Sequence, residues 1–281
     1  MHLQHIALAI VVAVIWGFNF VMIKAGLDEL PPVLLCALSF FFTAFPAIFF
    51  VRPPAIAFRQ VIAFGFVMFA LQFTLLFFGM AAGATAGLAS LLLQVQVFFT
   101  MLLAVLFLDE KPSGWRITGT IVSFSGIALV AANIGEDISV LGMVLIIAAA
   151  ASWGIGNLMS KRLGQINMLA LVAWGSFVAW PPLLLLSFVT EQSAWNLENL
   201  SGLSWISVAS VGYNAYPVTL LGFAAWHWLL RRYPATTVAP FSLLVPVFGF
   251  ASSALVMDEP IYLWKIGAAA LIIAGLCINL M

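Results

Sequence analysis

The sequence predicts an all-α integral membrane protein with ten transmembrane helices, arranged as two inverted five-helix repeats with both termini in the cytoplasm. The first observation behind this prediction is composition: 64% of the 281 residues are hydrophobic and 7% are charged, and the mean hydropathy is +1.17. Soluble domains usually carry charge on about a quarter of their residues. The second observation is a series of long apolar runs, and the third is a similarity between the two halves of the chain.

Ten apolar runs are each long enough, at about 20 residues, to cross the hydrocarbon core of a bilayer. In chain order the runs cover residues 5–24, 33–51, 60–80, 85–108, 114–132, 139–160, 168–190, 203–230, 235–257 and 261–280. Turn-forming residues such as Arg52-Pro53-Pro54 separate most of them. The third and fourth runs are divided least clearly, because only a glycine-rich stretch lies between them.

Two stretches about 150 residues apart share one layout, which indicates an internal repeat. Each has a long apolar run, then an acidic pair, a proline and a tryptophan, and they cover residues 88–115 and 241–264. A tryptophan-glycine pair, with a lysine eight residues after the tryptophan, begins at Trp16 and again at Trp153. We therefore expect a first repeat over residues 1–135 and a second over 136–281.

The positions of Lys and Arg predict the orientation. With the N-terminus inside, the inner loops hold eight of the ten Lys and Arg residues, and only Lys24 and Lys265 lie at outer ends. Positive residues collect on the cytoplasmic side, so both termini are expected there. Five helices per repeat is an odd number, so the second repeat enters the membrane inverted, as in alternating-access transporters. The alternative is a duplication retained only for packing.

Charged side chains are absent from the middle of every predicted helix. All ten carboxylates fall in loops or at helix ends. Intramembrane carboxylates usually carry protons or bind cationic substrates. Their absence argues against a proton-driven multidrug pump and favours a neutral or zwitterionic solute.

Uncharged polar and aromatic residues remain at depth and are the candidates for a substrate site. Trp16 and Asn19 are three residues apart and Trp153 and Asn157 four apart, so each pair shares a helix face. Gln94 and Gln96 lie about 200° apart around their helix and cannot both face one cavity. The alternative for any single amide is an interhelical hydrogen bond worth about 1 kcal/mol. The candidate substrate-binding residues are Trp16, Asn19, Gln72, Gln94, Gln96, Trp153, Asn157, Tyr213 and Tyr216.

A second group of residues is expected to serve gating or coupling: Lys24, Asp109, Glu110, His227, Asp258 and Glu259. At spacings of seven and four, Tyr216, Phe223 and His227 should form one stripe along the eighth helix. His227 lies between two tryptophans, so it is interpreted as an interfacial residue of an aromatic belt, with a proton carrier as the alternative. The acidic pairs before Pro112 and Pro260 suit solvated charge at a helix start, or alternatively a gate clamp.

The same motifs resemble those of the EamA-type family of the drug/metabolite transporter superfamily. The stretches that carry the resemblance lie in both repeats: WGFNFVMIKAGL, AFPAIFFV, LASLLLQVQVFFT, WGIGNLMSK and VAPFSLLVPVFG. The resemblance implies ten helices, cytoplasmic termini, a central cavity between the repeats, and export of amino acids or related metabolites similar to cysteine and O-acetylserine. It also implies that the family motifs bring Trp16, Asn19, Gln94, Gln96, Trp153 and Asn157 to or near that cavity.

The predicted function is therefore a secondary transporter, in a bacterial inner membrane, that exports small metabolites by alternating access. An exporter of aromatic amino acids or of many metabolites is the alternative. An enzyme is not expected, because no HExxH, buried aspartate pair or Ser-Lys arrangement occurs. The expected partners are a small solute and the lipid bilayer. No cofactor, metal or obligatory protein partner is expected, and the net charge of zero argues against nucleic acid.

Overall fold

The computed structural model describes residues 1–132, 139–196, 203–258 and 262–279, and throughout these ranges the regular structure is helical. Ten long helical stretches follow one another, and each falls on one of the predicted apolar runs. We number them α1 to α10: Leu3–Leu27, Pro32–Phe50, Phe58–Ala81, Ala86–Leu108, Gly114–Ala131, Val140–Arg162, Met168–Thr190, 205–232, Ala235–Val256 and Leu263–Asn279.

Seven of these stretches are long and apolar enough to cross a membrane: α1 to α4, α6, α7 and α9. The other three pack against them or against one another, with α5 lying along α10 and α8 lying against α1. The interior is apolar, and the largest fully buried side chains are mostly phenylalanine, leucine and methionine.

The two halves of the chain interlock. Helix α1 packs on α9 while α6 packs on α4, and these two contacts correspond when the repeats are aligned. Helix α8 packs on α1 and α3 packs on α6, and these two contacts also correspond when the repeats are aligned. Helix α2 packs on α7, and α5 packs on α10. In each of these two pairs, a helix of the first repeat contacts the equivalent helix of the second repeat. The interface between the repeats therefore runs through the middle of the molecule.

Helix ends that meet define two ends of the bundle. At the end where α1 begins, the proximal end, His5 Nδ1 lies 2.6 Å from the Tyr233 hydroxyl just beyond α8. At the opposite, distal end, the Glu191 carboxylate at the close of α7 accepts hydrogen bonds from the first amides of α2, at Val33 (2.8 Å) and Leu34 (2.9 Å). A carboxylate at a helix N-terminus satisfies free N–H groups and complements the helix dipole.

Glu29 caps another helix start at the distal end. It accepts hydrogen bonds from the Ser204 amide (3.0 Å) and hydroxyl (2.6 Å), and from the Ser207 hydroxyl (2.5 Å), where α8 begins. The hydrogen bonds from the Ser204 and Ser207 side chains lower the pKa of Glu29. Glu29 thus joins the end of α1 to the start of α8.

Helices α3 and α8, which occupy equivalent positions in the two repeats, each contain a π-helical segment, Gly65–Leu71 and Asn214–Phe223. In a π-helix each amide bonds to the carbonyl five residues earlier, and such segments occur often at functional sites. Pro217, which has no N–H, lies inside the second segment. The extra residue per turn changes which side chains share a face.

This change overturns one expectation. Tyr216 is 39% exposed, whereas Phe223 is 1% and His227 is 0% exposed, so the three do not form one stripe. The prediction was wrong because it assumed 3.6 residues per turn through a segment that is π-helical.

Candidate functional site

Trp16 of α1 and Trp153 of α6, the tryptophans of the repeated motif, meet in the middle of the interface. Their rings are 5.0 Å apart between centroids and nearly perpendicular, at 80°. Phe223 lies against both, at 5.0 Å and 5.6 Å, and Trp226 lies 5.1 Å from Trp16. We call the connected rings the central aromatic cluster: Trp16, Phe69, Phe73, Trp153, Phe223 and Trp226.

The glycine of each motif explains how the tryptophans reach this position. A Cβ atom on Gly17 would lie 2.5 Å from the Phe248 Cβ of α9, and one on Gly154 would lie 2.7 Å from the Phe99 Cβ of α4. Phe99 and Phe248 occupy equivalent places in the two repeats. The glycines therefore allow α1 to approach α9, and α6 to approach α4, closely enough for the adjacent tryptophans to meet.

The three indole N–H groups of the cluster have different surroundings. Trp16 Nε1 donates to the Val218 carbonyl at 3.3 Å, and Trp226 Nε1 donates to Asn157 Oδ1 at 3.3 Å. Trp153 Nε1 is buried and has no hydrogen-bond acceptor. The two motif tryptophans are thus alike in ring position and different in hydrogen bonding.

Asn157 and Gln96 belong to a hydrogen-bonded network beside the cluster. Asn157 Nδ2 donates to Thr100 Oγ1 (3.0 Å) and to Gln96 Oε1 (3.4 Å). Gln96 Nε2 donates to the Ser242 hydroxyl of α9 at 2.6 Å. With Trp226 bonded to Asn157, the network joins α4, α6, α8 and α9. These two amides are therefore satisfied within the protein, which favours the interhelical hydrogen-bond interpretation for both.

Other predicted polar residues are buried without full hydrogen bonding. Both amide atoms of Gln72 lack a partner, as do the side-chain oxygens of Asn19, Gln94 and Asn214. Gln94 Nε2 donates to the Ser90 carbonyl at 2.9 Å. A buried polar group without a partner costs about 1–3 kcal/mol, and such groups are available to a ligand or to water. Gln72 follows the first π segment and precedes Phe73 of the central aromatic cluster.

The interior carries no formal charge among the described side chains. The buried polar residues there are Ser, Thr, Asn, Gln and His, and none is Asp, Glu, Lys or Arg. This agrees with the expectation that the carboxylates stay at helix ends.

The two tyrosines lie apart from the cluster. Tyr213 is half-buried and donates to the Ile15 carbonyl at 3.0 Å. Tyr216 lines an apolar groove of about 390 Å³ between α2 and α8, together with Leu38 and Phe42. The structure therefore places Tyr216 in this groove, and the expectation that it shares a site with the tryptophans is wrong.

His227 also differs from expectation, since it is fully buried and not interfacial. Its ring lies 5.3 Å from Phe64 and 5.9 Å from Phe223, and neither ring nitrogen has a hydrogen-bond partner. The flanking tryptophans suggested an aromatic belt because their direction could not be read from the sequence. His227 instead lies at the edge of the central aromatic cluster.

An ion pair lies at the proximal end of the bundle. Lys161 Nζ lies 3.1 Å from Glu110 Oε1 and donates to the carbonyls of Leu230 (3.0 Å) and Tyr233 (2.9 Å) at the end of α8. The Lys161 and Glu110 side chains are 18% and 14% exposed. We call this arrangement the proximal clasp. It joins α6 to the loop after α4 and to the end of α8.

Glu110 also caps α9, because it accepts hydrogen bonds from the Ala235 (3.1 Å) and Thr236 (3.2 Å) amides. Burial alone would raise the pKa of Glu110, but these amides and the Lys161 ammonium outweigh it and lower the pKa below its usual value. The expectation of solvated charge at the start of the following helix is therefore wrong for Glu110. It binds a helix of the other repeat.

The remaining gating candidates are placed differently. Lys24, the counterpart of Lys161, makes a 3.8 Å pair with Asp28, the C-cap residue of α1, and their side chains are 41% and 65% exposed. Asp109 and Asp258 are exposed residues with φ of 54° and 52° that follow α4 and α9, so they end equivalent helices in the left-handed conformation. Glu259 lies outside the described residues.

Two features of the site were missed from the sequence. Lys161 was not among the gating candidates, although its recurrence with Lys24 in the repeated motif was a signal. Phe69 and Phe73 had no signal, because aromatic residues occur throughout the chain.

Comparison with known proteins places the chain in a family. The sequence model of the EamA-like transporter family matches residues 3–132 and again residues 140–281. A protein of Escherichia coli (strain K12) named "Probable amino-acid metabolite efflux pump" is 37% identical over 278 residues, which are 97% of this chain and 93% of that protein. A protein of the same name in Salmonella typhimurium is 39% identical, again over 97% of this chain and 93% of that protein.

More distant relatives share the architecture. The E. coli "Uncharacterized inner membrane transporter YedA" is 22% identical over 83% of this chain and 76% of its own length. A solved crystal structure superposes with a TM-score of 0.80 at 16% identity, covering 98% of this chain and 95% of the other, which shows a common fold. With both halves matched by the family model, the chain belongs to the EamA-like transporter family and is a multi-pass protein of a bacterial inner membrane.

Proposed function

We propose that this protein is a secondary transporter that exports amino acids or related small metabolites by alternating access. The observation that carries the proposal is the set of buried, uncharged polar atoms without partners at Asn19, Gln72 and Trp153, on the two helices whose tryptophans meet and on α3, which packs against α6. Such atoms are costly in a purely structural interior. A solute with no net charge that both donates and accepts hydrogen bonds would satisfy them.

The chemistry of the free atoms suits a zwitterion. The oxygens of Asn19 and Gln72 are available to accept from an ammonium group, and the Gln72 amide nitrogen is available to donate to a carboxylate. The indole faces of Trp16 and Trp153 would flank the solute side chain, and an aromatic face also attracts an ammonium group. The names of the E. coli and S. typhimurium relatives support an amino-acid metabolite as the solute.

Cysteine, O-acetylserine and similar small amino acids are the solutes we propose first. An exporter of aromatic amino acids, or of a broad range of metabolites, is the second candidate. The observation that favours it is the central aromatic cluster, whose six rings could stack against an aromatic side chain.

The proposed topology has ten membrane spans, with repeats 1–135 and 136–281 in opposite orientations. The seven apolar spans and the three further helical stretches, α5, α8 and α10, together give this number. The hydrogen bonds between helix ends support it, because each joins ends that an alternating ten-helix path brings to the same side. The bias of Lys and Arg assigns the proximal end, with both termini, to the cytoplasm.

In this topology the proximal clasp is a cytoplasmic gate. Lys161 and Glu110 come from different repeats, so they must separate when the repeats rock apart at this end. Lys24, which holds the matching place near the distal end, forms an ion pair with Asp28 of its own repeat. In this proposal the clasp closes the protein toward the cytoplasm, and among the described residues Lys24 forms no matching ion pair with the other repeat.

We propose that the solute moves down its own gradient. Proton coupling needs an ionisable group in the pathway, and none of the buried described residues is a carboxylate. His227 is the candidate proton carrier if coupling occurs, because both its ring nitrogens are free and it borders the cluster.

Export can be tested in cells that carry the gene on a plasmid and are loaded with a labelled dipeptide, which peptidases convert to free amino acid. Release into the medium should be faster with the wild-type protein than with an empty vector. Gln72→Ala should abolish the increase, whereas Gln60→Ala, which changes an exposed glutamine of the same helix, should not. Equal release from wild-type and empty-vector cells would contradict the proposed function.

A further inference from the structure

We propose that the Trp153 indole N–H is the hydrogen-bond donor that receives the carboxylate of the transported amino acid, while Trp16 contributes only its ring. This inference rests on the proposed function and assigns one recognition contact within the same site. It starts from the unequal hydrogen bonding of two tryptophans that the repeats place in equivalent positions.

The N–H of Trp153 is an unsatisfied donor in a buried position. Its side chain is 5% exposed and Nε1 has no acceptor, whereas Trp16 and Trp226 each donate a hydrogen bond within the protein. An indole N–H can only donate, so it cannot be satisfied by an ammonium group or by another donor. A carboxylate oxygen is the strongest acceptor that an amino acid offers.

The difference between the two tryptophans accompanies a difference in the sequence. Trp16 donates to the Val218 carbonyl, which lies in the π segment of α8. In the other repeat, the Val67 carbonyl of the α3 π segment accepts a hydrogen bond at 2.7 Å from the hydroxyl of Ser152, the residue before Trp153. The residue before the other tryptophan is Ile15, which has no hydroxyl group.

The hydrogen bond to the α3 π segment is thus made by Ser152, whereas the one to the α8 π segment is made by the Trp16 indole. The Trp16 N–H is engaged and the Trp153 N–H is free. This asymmetry gives the site a single direction for the carboxylate. A fully symmetric site would offer the same donor twice or not at all.

Ring contacts connect Trp153 to the segment that carries Gln72, which would complete the recognition of a zwitterion. Trp153 contacts Phe223, whose ring also contacts Phe73, the residue next to Gln72. Gln72 offers a further donor and an acceptor. The carboxylate is thus expected to lie toward α6, with the ammonium group toward the free oxygens of Gln72 and Asn19.

The test removes the N–H and keeps an aromatic ring at position 153. Trp153→Phe and the matched control Trp16→Phe are reconstituted in proteoliposomes, and counterflow is measured with labelled L-cysteine, O-acetyl-L-serine and L-phenylalanine. The carboxamide of each amino acid serves as a competitor that retains the ammonium group and side chain and lacks the carboxylate charge. A hydrogen bond to a charged group is about twice as strong as one to a neutral group.

For the amino acid that the wild type exchanges, Trp153→Phe should raise the half-saturating concentration by about 10- to 100-fold, the range expected for a charge-assisted hydrogen bond. Competition by the carboxamide should change far less. Trp16→Phe removes ring contacts and the hydrogen bond to the Val218 carbonyl, and it should weaken both compounds equally because neither interaction involves the solute carboxylate. If Trp153→Phe does not fold, 3-benzothienylalanine introduced at position 153 replaces the N–H by sulfur with the ring shape retained.

Equal losses for the amino acid and its carboxamide in the position-153 variant would overturn the inference. So would a selective loss for the amino acid in Trp16→Phe. A wild-type protein that exchanges none of the three amino acids would contradict the proposed function itself, so the two failures are distinguishable.

Discussion

Replacing Lys161 by glutamine should open the proximal end of the molecule. The ammonium group contacts the Glu110 carboxylate at 3.1 Å and the carbonyls of Leu230 and Tyr233 at 3.0 Å and 2.9 Å. Glutamine is shorter and uncharged, so it loses the ion pair and at least one carbonyl contact. Glu110 would keep its hydrogen bonds to the start of α9 but would lose its counter-charge.

The size of the effect follows from the burial of the pair. Exposed ion pairs contribute about 0–1 kcal/mol, whereas breaking a buried pair costs about 3–5 kcal/mol. The side chains here are 18% and 14% exposed, between these limits. We therefore expect about 2–3 kcal/mol, which shifts the equilibrium between closed and open proximal ends by about 30- to 150-fold.

Opening can be measured through a cysteine placed beside the clasp. Ser160 is fully buried and precedes Lys161, so Ser160→Cys should react slowly with an impermeant maleimide added to inside-out vesicles. The exposed Cys277 is replaced by alanine, and the buried Cys36 is retained. Lys161→Gln should raise the labelling rate of this cysteine by about 30- to 150-fold.

Lys24→Gln in the same background is the matched control, because Lys24 holds the equivalent place and its ion pair, with Asp28 at 3.8 Å, lies within its own repeat. Its labelling rate should equal that of the parent. Thermal unfolding in detergent checks that each variant is folded. Equal labelling of the Lys161 and Lys24 variants would refute the assignment of the clasp as a gate.

Three further predictions concern stability. Gly17→Ala should lower the free energy of unfolding by about 1–3 kcal/mol, because the added Cβ would lie 2.5 Å from the Phe248 Cβ. Gly114→Ala should leave the free energy of unfolding unchanged, because no heavy atom lies within 4 Å of its added Cβ. Thermal unfolding in detergent compares the two variants. Glu191→Ala should lower it by about 1–2 kcal/mol through loss of the cap on α2, measured in the same way. The folded-state pKa of Glu110 is lowered, so the ionised carboxylate stabilises the folded protein and its protonation in acid removes that stabilisation. The wild type should therefore be more stable than Glu110→Gln at neutral pH, and this difference should be lost below about pH 4. A difference that grows on acidification would contradict this prediction.

The position of the tryptophans could be predicted from the sequence, and the reason is their repetition. A motif that recurs in two structural repeats should lie at equivalent places in both, so Trp16 and Trp153 were expected to flank one site. The structure brings them to 5.0 Å. The role of the adjacent glycines became visible only with Phe99 and Phe248 in place.

The hydrogen-bonding state of each polar residue could not be predicted. Asn157 is satisfied because Thr100 and Trp226, which are distant in the sequence, lie within hydrogen-bond distance. Asn19 has no such neighbour for its oxygen. Helices that are apolar on nearly every side give no periodicity from which the facing residues can be read.

The errors at Tyr216 and Glu110 have two physical causes. A π segment changes the phase of α8, and nothing in the local composition other than Pro217 marks it. Glu110 binds an α9 amide 125 residues away, a contact that depends on how the repeats interlock. Local patterns predicted the helices well, and contacts between repeats required the structure.

Counterflow in proteoliposomes with a charge series of solutes tests the central claim most directly. Neutral amino acids, lysine and glutamate are compared as internal and external solutes, with and without an imposed pH gradient. An uncharged site around Trp16 and Trp153 predicts exchange of neutral amino acids, little exchange of lysine or glutamate, and no effect of the gradient. Exchange of lysine alone, or exchange that requires the gradient, would contradict the account and would direct attention to His227 as an ionisable group in the pathway.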